Sequence, residues 1–316
     1  MKPIAIITGP TATGKTDSAI DFALAFNGEI VSADSMLVYR GMDIGTAKPS
    51  PEQRAAVPHH MIDVCDPRQD YSAALWQQGA LAAIEDILHR DKLPVVVGGT
   101  GLYIQAVLRP MAFSSAKGQS ASREKWTSYL AQNGPEVLHR RLEAIDPESA
   151  ARLPQGDTRR VIRALEIYDE TGVTMTEQNR RDAARPPRYE AVCMGVSLER
   201  SLLYARIEAR VDSMMEQGLV QEVDGLLRGG VPKNATSMQG LGYKEIAAYL
   251  EGELPLEAAV ALLKQRTRHF AKRQVTWFKK YGGVRWLESQ DPVSTAQMLD
   301  FFTQTYLDYT KGVYVT

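Results

Sequence analysis

Cysteine, net charge and long apolar runs are all scarce in this sequence of 316 residues. The two cysteines, Cys65 and Cys193, lie in apolar runs and match no metal-ligand spacing, which predicts buried, non-catalytic thiols in a reducing compartment. The net charge is only −1, so any case for nucleic-acid binding has to rest on local clusters of basic residues. No apolar stretch is long enough to span a bilayer, and the chain enters a predicted strand without a signal sequence. We therefore expect a soluble, cytoplasmic protein.

The pattern of apolar residues predicts an α/β fold. The length exceeds that of a usual single domain, and the apolar content of 44% is enough for a sizeable core. Short β-branched runs alternate with helical patterns, which is typical of a parallel sheet with helices on both faces. The predicted strands are 4–7, 29–32, 61–64, 94–97, 191–197 and 284–287. Since 114–188 contains helical patterns and no strand, we predict a helical insertion domain there and a core formed by 1–113 and 189–316.

The most informative motif lies near the N-terminus, where residues 9–16 fit the phosphate-binding pattern G-x-x-x-x-G-K-[ST]. A predicted strand precedes the motif and a predicted helix follows it, as phosphate loops of nucleotide- and ATP-binding proteins require. Backbone N–H groups would hold an oligophosphate, with Lys15 as a point charge and the Thr16 hydroxyl on Mg²⁺. Arg206 and Arg210, one helical turn apart, are candidates to reach this site, while the sequence favours surface placement for at least one of them. The alternative for the loop itself is a chance match to the motif in a protein that binds no phosphate. The predicted loop consists of Gly9, Pro10, Thr11, Ala12, Thr13, Gly14, Lys15 and Thr16.

Two more turns follow predicted strands, at the sheet edge where ligands bind in open α/β folds. Asp34 follows the strand 29–32 and either accepts a proton from a nucleophile or caps the next turn. Thr100 lies in the glycine-rich turn 98–101, and its hydroxyl either donates to a ligand or belongs to a purely structural turn. The adjacent His59 and His60 have no partner at metal spacing, so we predict that they belong to a turn.

Basic residues cluster in two predicted helices. Arg159 and Arg163 share one face of the helix predicted over 159–170. The segment 264–280 contains seven Lys or Arg and no acidic residue. Within it Lys264, Arg268 and Lys272 recur every fourth residue and form a predicted cationic ridge, which favours phosphate or nucleic acid as a partner. The alternative is a solvated helix face with aromatic residues turned towards the core.

Taken together and in order along nearly the whole chain, the motifs resemble those of bacterial tRNA dimethylallyltransferases, also called tRNA isopentenyltransferases. The resemblance implies a phosphate-loop core that transfers no phosphoryl group. The loop would hold the diphosphate of dimethylallyl diphosphate, and the N6 amine of the adenosine 3′-adjacent to the anticodon would attack the allylic carbon. The products would be diphosphate and i6A in tRNA, made by a monomer. The motifs are 9–16, Asp34-Ser35, 39–49, 98–103, 163–166, Gly242-Tyr243 and 272–277.

The same resemblance implies roles for individual residues. Asp34 would accept the proton of the amine, while Lys15, Arg210 and Mg²⁺ at Thr16 would neutralise the leaving diphosphate. The helical insertion would close over the anticodon stem of the tRNA. Leu37 stands where many members of the family have glutamine, so polar readout of the base by that side chain is absent. The expected tRNA-binding residues are Asp34, Ser35, Met36, Leu37, Thr100, Arg123, Arg159, Arg160, Val161, Ile162, Arg163, Gln239, Gly240, Leu241, Gly242, Tyr243, Lys244, Lys272, Arg273, Gln274, Thr276 and Trp277.

Three other functions fit part of this pattern. A prenyltransferase acting on free adenine nucleotides would need the phosphate loop but neither basic helix. A small-molecule kinase would consume ATP, and a non-catalytic RNA-binding module would use the phosphate loop only as structure. Replacement of Asp34 by Ala separates the last from an enzyme, because only an enzyme would lose turnover while it keeps tRNA binding.

Overall fold

The structure, a computed structural model, describes residues 3–111, 121–289 and 293–312. The described strands form one six-stranded sheet in the order β3-β2-β4-β1-β5-β6, and every neighbouring pair is parallel. This confirms the predicted α/β class with a parallel sheet. The strands are β1 (Ile4–Thr8), β2 (Gly28–Ser32), β3 (His59–His60), β4 (Leu93–Gly98), β5 (Ala191–Leu198) and β6 (Val284–Ser289).

Helices cover both faces of the sheet, as parallel strands buried on both sides require. On one face, the Phe22 ring meets Phe302 edge-on at 6.4 Å between centroids. Trp76 is fully buried, stacks on Tyr103 at 4.1 Å and donates its indole N–H to the Ser32 carbonyl at 3.0 Å. The helices are α1 (Lys15–Ala25), α2 (Pro51–Ala56), α3 (Ala73–His89), α4 (Gly101–Leu108), α5 (Ala121–Ile145), α6 (Pro147–Arg152), α7 (Thr158–Thr171), α8 (Met175–Ala184), α9 (Arg200–Glu216), α10 (Leu219–Arg228), α11 (Tyr243–Leu250), α12 (Leu256–Tyr281) and α13 (Thr295–Thr310).

The register of the central strands places three loops at one edge of the sheet. Thr8 of β1 is level with Gly98 of β4, and Ser32 of β2 is level with Val97 of β4. The segments that follow β1, β2 and β4 therefore start within one residue of the same height. These segments carry the predicted phosphate loop, Asp34 and Thr100, so the carboxyl edge of the sheet brings together the residues that the sequence singled out.

The third predicted strand, 61–64, is wrong. The third strand is His59–His60, which pairs with Ile30 and Val31 of β2, so the prediction that the two histidines belong to a turn is also wrong. Met61 and Asp63 have positive φ angles of 63° and 58°, a backbone that no regular strand can contain. The β-branched residues that suggested a strand thus lie in a bend.

The chain forms two compact units, Met1–Leu108 with Tyr189–Thr316, and Arg109–Arg188. The second unit contains α5 to α8 and its own apolar core, in which Leu138, Leu142 and Leu165 are fully buried. Gly134 interrupts α5 with φ 78° and ψ 169°, directly before Pro135, whose missing N–H would break the helix there in any case. The predicted start of the insertion at 114 lies outside the described residues.

Candidate active site

A cavity of about 420 Å³ lies at the carboxyl edge of the sheet, and all its lining residues belong to the first unit. The segments after β1, β2 and β4 form one side of it, and residues of α9, α11 and α12 contribute to the rest. The cavity collects many of the residues that the sequence predicted for a site. These are Thr11, Lys15, Thr16, Asp34, Ser35, Met36, Leu37, Arg210, Gln239, Gly240, Leu241, Tyr243, Arg273 and Gln274.

The loop between β1 and α1 has a backbone that its sequence explains. At Gly9 φ is 148°, and a Cβ atom would lie 2.6 Å from the Val196 carbonyl oxygen, so only glycine fits. Thr13 donates its hydroxyl to the Pro10 carbonyl at 3.0 Å and closes the loop. Gly14, with φ 82°, is the N-cap residue that precedes α1, and it supplies no side-chain cap. The first N–H groups of α1 are therefore available to an anion.

Three cations, Lys15, Arg210 and Arg273, and one carboxylate, Asp34, line the cavity. Burial, assisted by the charge of Arg210, lowers the pKa of the Lys15 ammonium to about 8, although Asp34 opposes the shift. Burial also lowers the pKa of Arg210, again against the attraction of Asp34. Lys15 donates to the Pro10 carbonyl at 3.2 Å, which keeps its ammonium at the loop. The excess of positive charge in a partly desolvated cavity favours a polyanionic ligand.

The lowered pKa of Lys15 predicts how anion binding depends on pH. A bound anion raises this pKa, so binding takes up a proton, and the affinity should fall by up to about tenfold per pH unit above about pH 8. We expect calorimetry to show this loss for inorganic diphosphate between about pH 7.5 and about pH 9.5. Lys15→Arg is the control, because guanidinium stays charged and the titration of the ligand itself is common to both proteins. Identical pH profiles for the two proteins would contradict the assignment.

One carboxylate oxygen of Asp34 accepts a hydrogen bond within a turn, and the other is available to a ligand. Its Oδ1 accepts the N–H of Met36 at 2.8 Å, so the cap that the sequence left open is present. Within the described part of the chain, Oδ2 has no hydrogen-bond partner, which leaves the role of proton acceptor open as a prediction. The Thr100 hydroxyl accepts the N–H of Ser35 at 3.2 Å, and the Thr100 N–H donates to the Ala33 carbonyl at 3.1 Å. Thr100 thus positions the turn that carries Asp34.

Gln274 lies on α12 and connects two of the loops, the one after β1 and the one after β4. Its Oε1 accepts the N–H of Thr11 at 3.0 Å, and its Nε2 donates to the Gly99 carbonyl at 2.9 Å. The side chain is only 7% exposed, so this bridge is a buried one. The tRNA contact expected of Gln274 stays a prediction, but the amide already serves to join the phosphate loop to the turn after β4. Trp277, one turn further on, stacks on Tyr281 at 5.3 Å.

The predicted cationic ridge on α12 is wrong for two of its three members. Lys264 forms an ion pair with Asp212 at 2.6 Å, and Arg268 forms one with Glu208 at 2.6 Å. Both acids lie on α9, so these cations neutralise a neighbouring helix. These ion pairs could not be predicted, because the residue pattern of α12 alone does not show which helix packs against it.

Three exposed cations of α12, namely Lys272, Arg273 and Lys280, have no ion pair within the described residues. The Arg273 guanidinium lies 5.9 Å from the centroid of the Phe270 ring. Arg273 also lines the cavity, whereas Thr276 is exposed and donates its hydroxyl to the Lys272 carbonyl at 2.9 Å. The basic surface next to the cavity is therefore smaller than the sequence suggested.

In the second unit, the residues expected to bind tRNA divide by burial. The side chains of Val161 and Ile162 lie in the apolar core, so any contact that they make with a ligand has to come from the backbone. Arg123 and Arg163 both pair with the buried Glu166, at 2.6 Å and 3.5 Å. Arg159 and Arg160 are exposed, and of the two only Arg160 has an ion pair with another described residue, a 3.5 Å contact with Asp157.

The segment 239–244 leads from a short 3₁₀ helix, Ser237–Gln239, into the first turn of α11. The Gly242 N–H donates to Glu245 at 2.9 Å, and a Cβ at Gly240 would overlap the Met36 side chain. Tyr243 is fully buried and donates its hydroxyl to Glu222 at 2.6 Å, while Gln239 and Lys244 are exposed. Sequence reasoning missed Glu222 altogether, because nothing in its own neighbourhood marks it.

Comparison with known proteins gives consistent matches over nearly the whole chain. Residues 37–281 match the IPP transferase family, and residues 2–61 match the Isopentenyl transferase family. The chain is 50% identical over 290 residues to a tRNA dimethylallyltransferase of Pelotomaculum thermopropionicum, which covers 92% of each protein. It is 49% identical over 300 residues to tRNA dimethylallyltransferase 2 of Geotalea uraniireducens, which covers 94% of this chain and 96% of that one.

Two solved structures are similar in fold as well. The full-length tRNA isopentenylpyrophosphate transferase from Bacillus halodurans is 38% identical with a TM-score of 0.72, covering 98% of this chain and 99% of its own. A eukaryotic dimethylallyltransferase acting on tRNA is 29% identical with a TM-score of 0.83, covering 99% of this chain and 80% of its own. These matches agree with the resemblance drawn from the motifs.

Proposed function

The chain belongs to the IPP transferase family, and on that premise we propose that it transfers a dimethylallyl group from dimethylallyl diphosphate to tRNA. The acceptor is the N6 amine of the adenosine 3′-adjacent to the anticodon, and the products are i6A and diphosphate. One observation supports this most: Lys15, Arg210 and Asp34 line the same cavity. Two cations suit a diphosphate, and a carboxylate beside them suits the proton that the amine loses.

The chemistry requires one bond to form and one to break at the allylic carbon. The N6 nitrogen of the adenosine forms a bond to this carbon, and the bond from the carbon to the diphosphate oxygen breaks with its electron pair. Asp34 takes the proton that the amine loses, through the oxygen that the Met36 N–H does not occupy. Lys15, Arg210 and the N–H groups at the start of α1 hold the charge of the departing diphosphate.

The rest of the cavity suits a hydrocarbon chain and a base. Ile62, Val211, Met214 and Leu263 contribute apolar lining on which a prenyl group can lie. The adenosine of an anticodon loop is already unpaired, which lowers the cost of turning it out of the stack and into a cavity.

Magnesium fits the residues present. Thr16 and Ser32 both line the cavity, and the buried Ser32 hydroxyl has no hydrogen-bond partner in the described residues. The described residues contain no group of three or more His, Cys, Asp or Glu arranged around a metal. Such a site would hold Mg²⁺ through one or two hydroxyls, water and the diphosphate itself, which is how proteins commonly bind this ion. When bound, the ion would neutralise charge on the leaving diphosphate.

We further propose that the protein acts as a cytoplasmic monomer. Within residues 3–111, 121–289 and 293–312, no helix combines the length and the apolar character that crossing a bilayer demands.

The test of the proposed function is a product analysis. The protein is incubated with dimethylallyl diphosphate, Mg²⁺ and unmodified tRNA, and the tRNA is then digested to nucleosides for mass spectrometry. We expect one adenosine per tRNA to gain the mass of one five-carbon prenyl group. The appearance of that mass on free AMP, ADP or ATP instead, or on no nucleoside at all, would refute the proposal.

The corrected basic surface predicts the salt dependence of tRNA binding. Replacement of both Lys272 and Arg273 by Gln should reduce the slope of log affinity against log salt by about 1–2, because each phosphate contact contributes about 1. Replacement of both Lys264 and Arg268 by Gln is the matched control on the same helix and should leave the slope unchanged, since these cations already pair with α9. Equal slopes for the two variants would show that the ion pairs with α9 do not determine which cations of α12 bind tRNA.

A further inference from the structure

Glu222 on α10 accepts four hydrogen bonds from outside its own helix. Its Oε2 accepts the backbone N–H groups of Asp43 and Ile44, both at 2.8 Å. Its Oε1 accepts the N–H of Gly45 at 3.1 Å and the hydroxyl of Tyr243 at 2.6 Å. Three consecutive N–H groups that converge on one carboxylate form an anion-binding concavity, and here the anion is a side chain of the protein itself.

Hydrogen bonds and ion pairs hold both ends of residues 43–49, which we call the wall loop. Glu222 holds the first three residues. At the other end Lys48, with a side chain only 4% exposed, donates to the Tyr39 carbonyl at 3.0 Å and pairs with Asp63 at 2.6 Å and with Asp43. Such fastening gives a surface segment without helix or strand a defined position.

The wall loop also meets an aromatic ring. A Cβ atom at Gly45 would lie 2.6 Å from the ring carbons of Tyr243, so glycine is what allows the ring to press against the backbone. Tyr243 is fully buried, so its ring is part of the packed interior and not a mobile surface group. The hydroxyl of the same ring binds Glu222, so carboxylate, ring and loop form one unit.

Four residues of the wall loop, Gly45, Thr46, Ala47 and Pro49, line the cavity of the candidate active site. None of them carries a charge that could bind diphosphate. Ile62 lines the cavity as well, and together with Ala47 and Pro49 it contributes apolar, carbon-rich lining. The charges of Lys15 and Arg210 mark where the phosphates bind, which leaves the carbon-rich lining to the organic part of the substrate.

We propose that Glu222 is a positioning residue for prenyl transfer: it fixes the wall loop as the surface against which the prenyl group of the allylic diphosphate lies. The inference rests on the proposed function and adds to it a residue that acts through the loop and not on the reacting atoms. Its carboxylate has to be intact, since a carboxamide has one acceptor oxygen only and would turn its own N–H₂ group towards two N–H donors or towards one N–H and one O–H.

The test compares Glu222→Gln with Asp224→Asn, which removes a partly exposed carboxylate paired with Arg228 on the same helix. We expect Glu222→Gln to raise KM for dimethylallyl diphosphate by about tenfold or more with kcat changed less than about threefold, the pattern of lost substrate binding. The Kd of inorganic diphosphate, which has no prenyl group to lie against the wall loop, should stay within about twofold of the wild-type value. Asp224→Asn should change none of these values.

Gly45→Ala approaches the same unit from the loop side and is expected to raise KM in the same way without weakening diphosphate. Tyr243→Phe removes one hydrogen bond and keeps the ring, so it should give a smaller rise in KM and serves if Glu222→Gln is too unstable to purify. An unchanged KM, a fall in kcat alone, or an equal loss of diphosphate binding would overturn the proposal. If the wild-type protein itself transfers no prenyl group, the proposed function fails first.

Discussion

Asp34→Asn is expected to lower kcat/KM for prenyl transfer by about 10²–10⁴ while it leaves tRNA affinity almost unchanged, since general-base catalysis contributes effects of this size. The carboxamide keeps an oxygen for the Met36 N–H, so the turn that carries residue 34 should survive. What it loses is an oxygen able to take the proton of the adenosine amine. The measurement is steady-state prenyl transfer together with a tRNA binding assay on the same preparations.

Asp21→Asn is the control for Asp34→Asn. Asp21 is exposed on α1 and its side chain has no hydrogen bond within the described residues, so its replacement should affect neither turnover nor tRNA binding. Turnover of Asp34→Asn near the wild-type rate would remove Asp34 as the base. Loss of tRNA binding in proportion to turnover would instead make Asp34 a binding residue.

Lys15→Met is expected to lower kcat/KM by about 10²–10³, the range observed when one charge-stabilising group is removed from a site where negative charge develops. The ammonium lies in a partly desolvated cavity beside Arg210, where burial lowers its pKa to about 8, so its charge acts with little screening by water. Both KM and kcat should suffer, because the diphosphate carries charge in the substrate and gains more as it leaves. Steady-state kinetics with varied dimethylallyl diphosphate separates the two effects.

Lys280→Met is the matched control for Lys15→Met. It removes the same charge from an exposed position on α12, so the kinetics with respect to dimethylallyl diphosphate should not change. If Lys15→Met retained the wild-type KM and kcat for this substrate, the phosphate loop would not be the diphosphate site.

Five of the six strands and the class of fold could be predicted from the sequence, because parallel strands buried on both faces appear as continuous apolar runs. The run 94–97, for example, lies inside the fully buried β4. The third strand could not be found, since His59 and His60 are polar and pair through their backbone with β2 alone. A two-residue edge strand leaves no periodicity to detect.

The phosphate loop and Asp34 could be placed because each follows a recognisable strand, and strand ends share one edge of a parallel sheet. The extent of the basic surface could not, because the acids that neutralise Lys264 and Arg268 lie more than fifty residues earlier in the chain. The role of Glu222 could not be predicted for the same reason. Its hydrogen-bond partners in the wall loop are backbone N–H groups 177 to 179 positions away. Because almost every residue has a backbone N–H, no pattern of side chains in the sequence indicates which ones Glu222 binds.

The central claim is that the phosphate loop grips a diphosphate that leaves, and not a nucleotide that donates its terminal phosphate. The most direct measurement follows diphosphate, ADP and prenylated tRNA in one reaction that contains the protein, tRNA, Mg²⁺, dimethylallyl diphosphate and ATP. We predict one diphosphate released for each prenyl group on tRNA, and the same rate when ATP is left out. Consumption of ATP with the formation of ADP, and no prenyl group on the tRNA, would contradict the account.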